Sequence, residues 1–349
     1  MSNQINAENY FENFINYGTV NFNSAKEIPQ ELLLLAEKTY LENVHTEFSI
    51  LDELDSKAKI TDVYVLLQER EGVPLSDLVD ENRKKEQENK NTEKGINVEK
   101  PPQELDEVLK NNDKFILAGE PGGGKSTTLK YITSFLCANL VQVNEAYTKN
   151  IGIADYVPLF IELGKVENFD TNFIIKQVER QISELQFSEK NINFSEIAQN
   201  LVVSWIKQNK LFLLLDGFDE ISPNKSENAK KIISSLINIV PKVIVAVRIA
   251  NLRSGEKPNI AKEFTILPLN QTSQEEFVKK WILQFENKNK VLAHDILAIM
   301  QEKPSLIKAT ETPLLLKIAV RLACSEGLEI FEQASSRSKL YNEIGRAHV

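Results

Sequence analysis

Residues Gly119-Glu120-Pro121-Gly122-Gly123-Gly124-Lys125-Ser126 set a glycine-rich stretch directly before an ammonium and a hydroxyl. Glycines let successive backbone N–H groups curl inward around an anion. Lys125 supplies a charge for the β- and γ-phosphates of a nucleotide, and the Ser126 hydroxyl is an oxygen ligand for Mg²⁺. The chemistry this spacing offers is nucleotide phosphate binding. Gly119 to Ser126, with Thr127 next to them, form the candidate cofactor-binding set.

A second group of chemistry-bearing residues lies in Leu211-Phe212-Leu213-Leu214-Leu215-Asp216-Gly217-Phe218-Asp219-Glu220. An apolar strand that ends in aspartate is the expected partner of a phosphate loop, its carboxylate holding Mg²⁺ through waters. Asp216 and Ser126 are therefore the candidate metal residues. Asp219 and Glu220 follow after one tight turn, and either is placed to polarise an attacking water as general base. The sequence favours Glu220 slightly and does not separate the two.

These residues need elements that hold them. Phe115-Ile116-Leu117-Ala118 reads as a buried strand before the loop, and Thr127-Thr128-Leu129-Lys130-Tyr131-Ile132 continues as a helix after it, the context a phosphate loop requires. From Pro101, short apolar runs alternate with longer amphipathic ones, which predicts a parallel α/β sheet. The predicted strands are Phe115 to Ala118, Val157 to Leu163, Leu211 to Leu215, Val243 to Val247 and Phe264 to Leu267. The predicted helices are Ser126 to Leu140, Thr171 to Leu185, Ser195 to Gln208 and Asn228 to Val240. Strands this apolar must be covered on both faces.

Outside this region the pattern differs. Residues 1–60 read as a helical region, with a strong helix former in Glu31-Leu32-Leu33-Leu34-Leu35-Ala36-Glu37-Lys38 after Pro29. Thr61-Asp62-Val63-Tyr64-Val65-Leu66-Leu67 reads as a short strand. It opens a stretch, 61–104, whose polar part from Glu81 to Lys100 has little to bury and reads as a linker. The nucleotide-binding domain is expected over 105–269. A helical subdomain is expected over 270–343: Thr272-Ser273-Gln274-Glu275 has the capping-box pattern, Phe277, Trp281, Ile282 and Phe285 follow at helical spacing, and Thr312-Pro313 reads as a cap with proline at the first helical position. The closing residues Ile344-Gly345-Arg346-Ala347-His348-Val349 read as a non-native tail, matching one frame of a sequencing adapter, so a truncated reading frame is expected.

The chain has 349 residues, 42% hydrophobic and 26% charged, and a net charge of −9. That balance suits a globular protein and disfavours wholesale binding to nucleic acid or anionic membranes. Cys137 and Cys324, the two cysteines, sit in apolar stretches and read as buried thiols of a reducing compartment. His45, His294 and His348 lack ligand spacing for zinc. No apolar run nears the ~20 residues of a membrane span, and the polar N-terminus is not a signal peptide. A cytoplasmic protein without membrane contact is expected.

On these motifs the chain resembles the NACHT family of STAND P-loop NTPases, in its bacterial, NLR-like form. The resemblance rests on the phosphate loop, on Asp216-Gly217-Phe218-Asp219-Glu220, on Tyr156-Val157-Pro158-Leu159-Phe160-Ile161-Glu162-Leu163 and on Glu311-Thr312-Pro313-Leu314-Leu315, and spans about residues 60–343. It implies a P-loop NTPase fold: a five-stranded parallel sheet of order 5-1-4-3-2, flanked by helices and followed by a helical domain. It implies ATP/ADP and Mg²⁺ as cofactors and slow, regulatory hydrolysis. Arg248 matches the family's arginine that reads the γ-phosphate, although Ala246 and Val247 stand where the family has polar residues. Pro313 matches a proline near the adenine. The resemblance further implies oligomerisation on activation and a role in antiphage defence or stress sensing. A protein or nucleic-acid trigger would act through a C-terminal sensor missing from this chain.

Three functions compete at this stage. The first is a regulated ATPase switch. The second is a motor of the AAA+ kind, which usually places glutamate directly after the magnesium aspartate, unlike Asp216-Gly217. The third is a nucleotide-binding scaffold without hydrolysis, which the intact acids disfavour.

Overall fold

The computed structural model describes residues 28–53, 56–71, 101–142, 153, 155–170, 172–185, 193–223, 225–254, 256–333, 338 and 340. The readings of residues 1–27, of the polar stretch Glu81 to Lys100 and of the tail 344–349 lie outside them.

Pro29, extended in φ and ψ, starts helix α1 (Gln30–Phe48), which buries Ala36, Tyr40, Leu41, Val44 and Phe48. Among the described residues, the expectation of a helical region over 1–60 is corrected in its last part, which is not helical. Strands β1 (Ile50–Glu53) and β2 (Ser56–Lys59) pair as an antiparallel hairpin directly after α1.

The predicted strand Thr61–Leu67 is also corrected. Its first part is a helical turn, α2 (Ile60–Val63), Tyr64 is extended, and residues 64–67 join no ladder; the strand β3 (Gln68–Glu71) comes next. The physical reason is burial. Val63, Tyr64, Val65 and Leu67 are all buried, so the run does not alternate between a wet and a dry face. The apolar signal came from a segment covered on several sides.

The remaining elements follow in order. Strand β4 (Gln103–Glu104) and helix α3 (Leu105–Asn111) precede β5 (Lys114–Gly119) and α4 (Lys125–Leu140). Then come β6 (Val157–Glu162), α5 (Phe173–Ile182), α6 (Phe194–Lys207), β7 (Leu211–Asp216), α7 (Ser226–Ile239), β8 (Lys242–Arg248), α8 (Ile249–Ser254) and β9 (Glu263–Ile266). Five helices end the described chain: α9 (Gln271–Trp281), α10 (Ala293–Glu302), α11 (Pro304–Ala309), α12 (Pro313–Glu326) and α13 (Leu328–Gln333). Asn270 caps α9, its side chain accepting from the Ser273 amide at 2.9 Å, so the cap lies two residues before the expected Thr272. Thr312 caps α12, as expected.

The chain is thus mixed α/β, with a mostly parallel sheet. That sheet has seven strands rather than five, in the order β4-β3-β9-β5-β8-β7-β6. Strands β5 to β9 are mutually parallel where they pair, whereas β3 runs antiparallel to both β4 and β9. The expected five-stranded, all-parallel sheet is corrected on both counts. The reason lies in polar residues before the loop: Gln68-Glu69-Arg70-Glu71 pairs with Phe264 to Ile266 through backbone bonds, which the side-chain pattern did not announce. Strand β7 is buried at every position and β8 at all but Arg248, because helices cover both faces. The register aligns Gly119 with Arg248 and Glu162 with Asp216. All four therefore lie along the carboxyl edge of the parallel strands, where open α/β sheets bind ligands.

Glu69 is anomalous. It is fully buried, and neither carboxylate oxygen has a hydrogen-bond partner. Burial, with a smaller contribution from Asp106, pushes its pKa well above the carboxylate range. The unfolded chain releases that proton at lower pH than the folded chain does. Stability is therefore highest below the ordinary glutamate pKa and falls as pH rises toward the elevated one. Glu69→Gln should raise the melting temperature at pH 7.5 and leave it unchanged near pH 4, as scanning calorimetry at both pH values would read. Equal effects at both pH values would disprove the neutral carboxyl.

Candidate functional site

The phosphate loop connects the buried strand β5 to α4. Gly122 and Gly124 have φ of +70° and +98°, conformations that side chains strain to reach. Space is equally tight: a Cβ on Gly122 would lie 2.7 Å from the Leu314 Cβ, and one on Gly124 2.8 Å from Leu67 Cδ1. The turn is closed by the Gly123 amide donating to Glu120 O at 3.0 Å. Gly124 is the N-cap of α4 and offers no side chain to its first amides. Uncapped amides at a helix start are ready donors to an anion, and the helix dipole adds to the attraction.

Lys125 bends back over the loop, its Nζ donating to Gly119 O at 2.8 Å and Glu120 O at 3.1 Å. Burial lowers its pKa, while Asp219 and Asp216 oppose that effect. Asp216 stands at the end of β7 and is buried. Burial raises its pKa, the Ser126 hydrogen bond acts against this, and Glu220 and Glu162 add to the rise. An anion beside Lys125 and a cation beside Asp216 would each offset the cost of burying those charges.

The Ser126 hydroxyl stands close enough to Asp216 to favour its carboxylate form. Among the described residues, no three or more His, Cys, Asp or Glu form a metal-binding group. Two hard oxygen donors beside a phosphate loop fit Mg²⁺, which keeps waters and takes further oxygens from phosphates rather than from an all-protein cage.

The acidic pair is held by Arg248 at the end of β8. Arg248 Nε lies 2.9 Å from Asp219 Oδ2, and its amide donates to Asp219 Oδ1 at 3.1 Å. Arg248 Nη2 donates to Glu220 Oε1 at 3.2 Å. The Asp219 side chain is 5% exposed and Glu220 56%. Gly217, with φ of +70°, turns the chain after Asp216, and its carbonyl accepts the Glu220 amide at 2.9 Å. Glu220 folds over this turn: an added Cβ on Gly217 or Gly164 would lie 2.9 or 3.1 Å from its Oε2.

The helical segment reaches the same place. The Leu314 amide donates to Gly122 O at 3.2 Å, and Pro313 lies against Gly124. A cavity of about 350 Å³ opens there, between residues 122–127 and a largely apolar wall that includes Tyr64, Val65, Leu67, Trp281 and Pro313. That is the scale of a small-molecule pocket. Tyr64 stacks on Tyr131 with ring centroids 4.0 Å apart, and its hydroxyl is 3.1 Å from Thr128 Oγ1. Lys280 Nζ donates to Tyr64 O at 2.7 Å.

The structure therefore gathers the candidate site residues around one edge of the sheet. Gly122 to Thr127 meet Pro313 at the cavity, Gly119 to Pro121 lead into it from β5, and Ser126 lies near enough to Asp216 to lower its pKa. Asp219, Glu220 and Arg248 form one cluster at the adjoining strand tips. Sequence reasoning missed the wall: Tyr64, Val65 and Leu67 read as strand, and Trp281 as helix core. Lys317 also lines the cavity and was not singled out, although a cation inside Leu314-Leu315-Leu316-Lys317-Ile318-Ala319-Val320 was a visible signal.

Among the described residues, no helix is long and apolar enough to cross a membrane. No protein-family profile matches the chain, and no curated protein sequence matches it. A solved structure with detectable likeness is that of C. elegans PCH-2, at 12% identity and a TM-score of 0.30, over 68% of this chain. The matched region spans 63% of the length of that protein.

Proposed function

We propose that the chain is the nucleotide switch of a NACHT-type signalling protein: it binds Mg·ATP, hydrolyses it slowly, and signals by its nucleotide state. The observation that carries this reading is the contact between the phosphate loop and the helical segment. Leu314 N–H on Gly122 O and Pro313 on Gly124 put the start of α12 directly on the loop. A nucleotide seated there touches both the sheet and the helices, so exchanging ADP for ATP can bias how the two pack.

Each residue then has a task. The amides of the loop and of the start of α4 bind phosphate oxygens, and Lys125 neutralises their charge. Ser126 and Asp216 would hold Mg²⁺, which supplies charge neutralisation at the phosphates. Glu220, the more exposed acid, orients and deprotonates the attacking water. Asp219 fixes Arg248, and Arg248 reads the γ-phosphate. The apolar wall with Pro313 takes the base. Antiphage defence or stress sensing is the setting this proposal gives to the switch, with assembly into a homo-oligomer as its output and a cytoplasmic location.

Steady-state turnover tests the proposal against the motor and scaffold readings. The purified chain should hydrolyse ATP at about 10⁻² s⁻¹ or slower, in the range of P-loop switches without an activator. Turnover of about 1 s⁻¹ or more would favour a motor, and zero turnover with intact ATP binding would favour a scaffold.

A further inference from the structure

We infer that Lys317 reads the base, donating from its buried ammonium to a ring nitrogen of adenine. The inference rests on the cavity at the phosphate loop being the nucleotide site. Lys317 lies one helical turn beyond Pro313 on α12, so both side chains project from the same face toward the loop. Only 2% of Lys317 is exposed, yet it borders the cavity alongside residues 122–127. Its Nζ sits 4.0 Å from the centroid of the Trp281 ring. Trp281 in turn stacks against Phe277 and Phe285, with centroids 5.7 and 5.9 Å away.

The chemistry follows from this placement. An ammonium held over an indole face is attracted by the ring quadrupole and fixed in position. It is a donor only, so a group that approaches it from the cavity must present an acceptor. The rest of the base-side wall (Val65, Leu67, Pro313 and the ring of Tyr64) is apolar and favours a flat aromatic ring. A ring that is flat, apolar on its faces and edged with acceptor nitrogens is a purine base. Adenine offers N1, N3 and N7 to such a donor. Lys125, on the glycine-rich loop, carries the phosphate charge, and Lys317, on α12 beside Trp281, is the cation assigned to the base.

Binding of ATP, of 1-deaza-, 3-deaza- and 7-deaza-ATP and of inorganic tripolyphosphate, each with Mg²⁺, to wild type and Lys317→Met tests this by calorimetry. One deaza analogue should bind wild type about 10- to 100-fold more weakly than ATP, the scale of a lost charge-assisted hydrogen bond. Lys317→Met should bind ATP at that reduced affinity, should not distinguish that analogue from ATP, and should bind tripolyphosphate like wild type. The deaza series in wild type decides the matter even if the variant does not fold. If all three analogues bind wild type within twofold of ATP, or if Lys317→Met binds ATP as wild type does, the inference is overturned. Tripolyphosphate bound by wild type as tightly as ATP overturns it too, while leaving the phosphate site standing. Neither ligand binding wild type overturns the nucleotide site and this inference together.

Discussion

Lys125→Ala should abolish nucleotide binding, with a loss of at least about 100-fold in affinity for ATP and for ADP. The size follows from where the ammonium lies. Nζ is held at the loop by Gly119 O and Glu120 O, on the first residue of α4, whose start has no side-chain cap. Burial already disfavours its charge, with Asp219 and Asp216 offsetting part of that cost. An anion on the loop removes the rest, so the interaction is stronger than one between solvated ions. Equilibrium titration of a labelled nucleotide reads the loss. A melt without nucleotide should stay within a few degrees of wild type, which separates lost binding from lost folding. Affinity unchanged within twofold would remove Lys125 from the site.

Glu220→Gln should leave nucleotide affinity within a few-fold of wild type and slow hydrolysis by about 10²- to 10⁴-fold, the usual contribution of a general base. The geometry separates this residue from its neighbour. Arg248 engages both oxygens of Asp219, one through its amide and one through its guanidinium, and the side chain is nearly inaccessible. A carboxylate tied on both oxygens is suited to hold an arginine in place. Glu220 shares one oxygen with Arg248 and keeps Oε2 over the Gly217 turn, with half of its side chain open to water. Single-turnover hydrolysis of bound ATP measures the step directly. Should Asp219→Asn slow it while Glu220→Gln does not, the two roles are reversed.

How far the site could be read in advance depended on how local its determinants are. The phosphate loop needs glycines at Gly122 and Gly124 for their positive φ and a lysine at the helix start; these are neighbours in sequence. Asp216 was readable because a run of apolar residues ends on it. The wall of the cavity was not, because Tyr64, Trp281 and Lys317 come from three distant segments and each has an ordinary local role. The same distinction divides the fold. Strands β5, β7 and β8 are buried on both faces and advertise it, whereas β3 is made of Gln68, Glu69, Arg70 and Glu71 and belongs to the sheet only through its partner, β9.

That pairing sets a timetable for synthesis. The hydrogen bond from Lys280 to Tyr64 joins residues 216 positions apart, and β3 acquires β9 only after the intervening parallel strands have been made. At about 5–20 residues per second, the ribosome needs on the order of 10 to 40 s to cover that distance. During this interval Tyr64, Val65 and Leu67 have neither α9 nor α12 to cover them, and β3 presents an unpaired edge. The pocket at the glycine-rich loop thus closes only after α9 and α12 have been made. A chaperone that holds exposed apolar surface would find it there, in the same residues that later line the cavity.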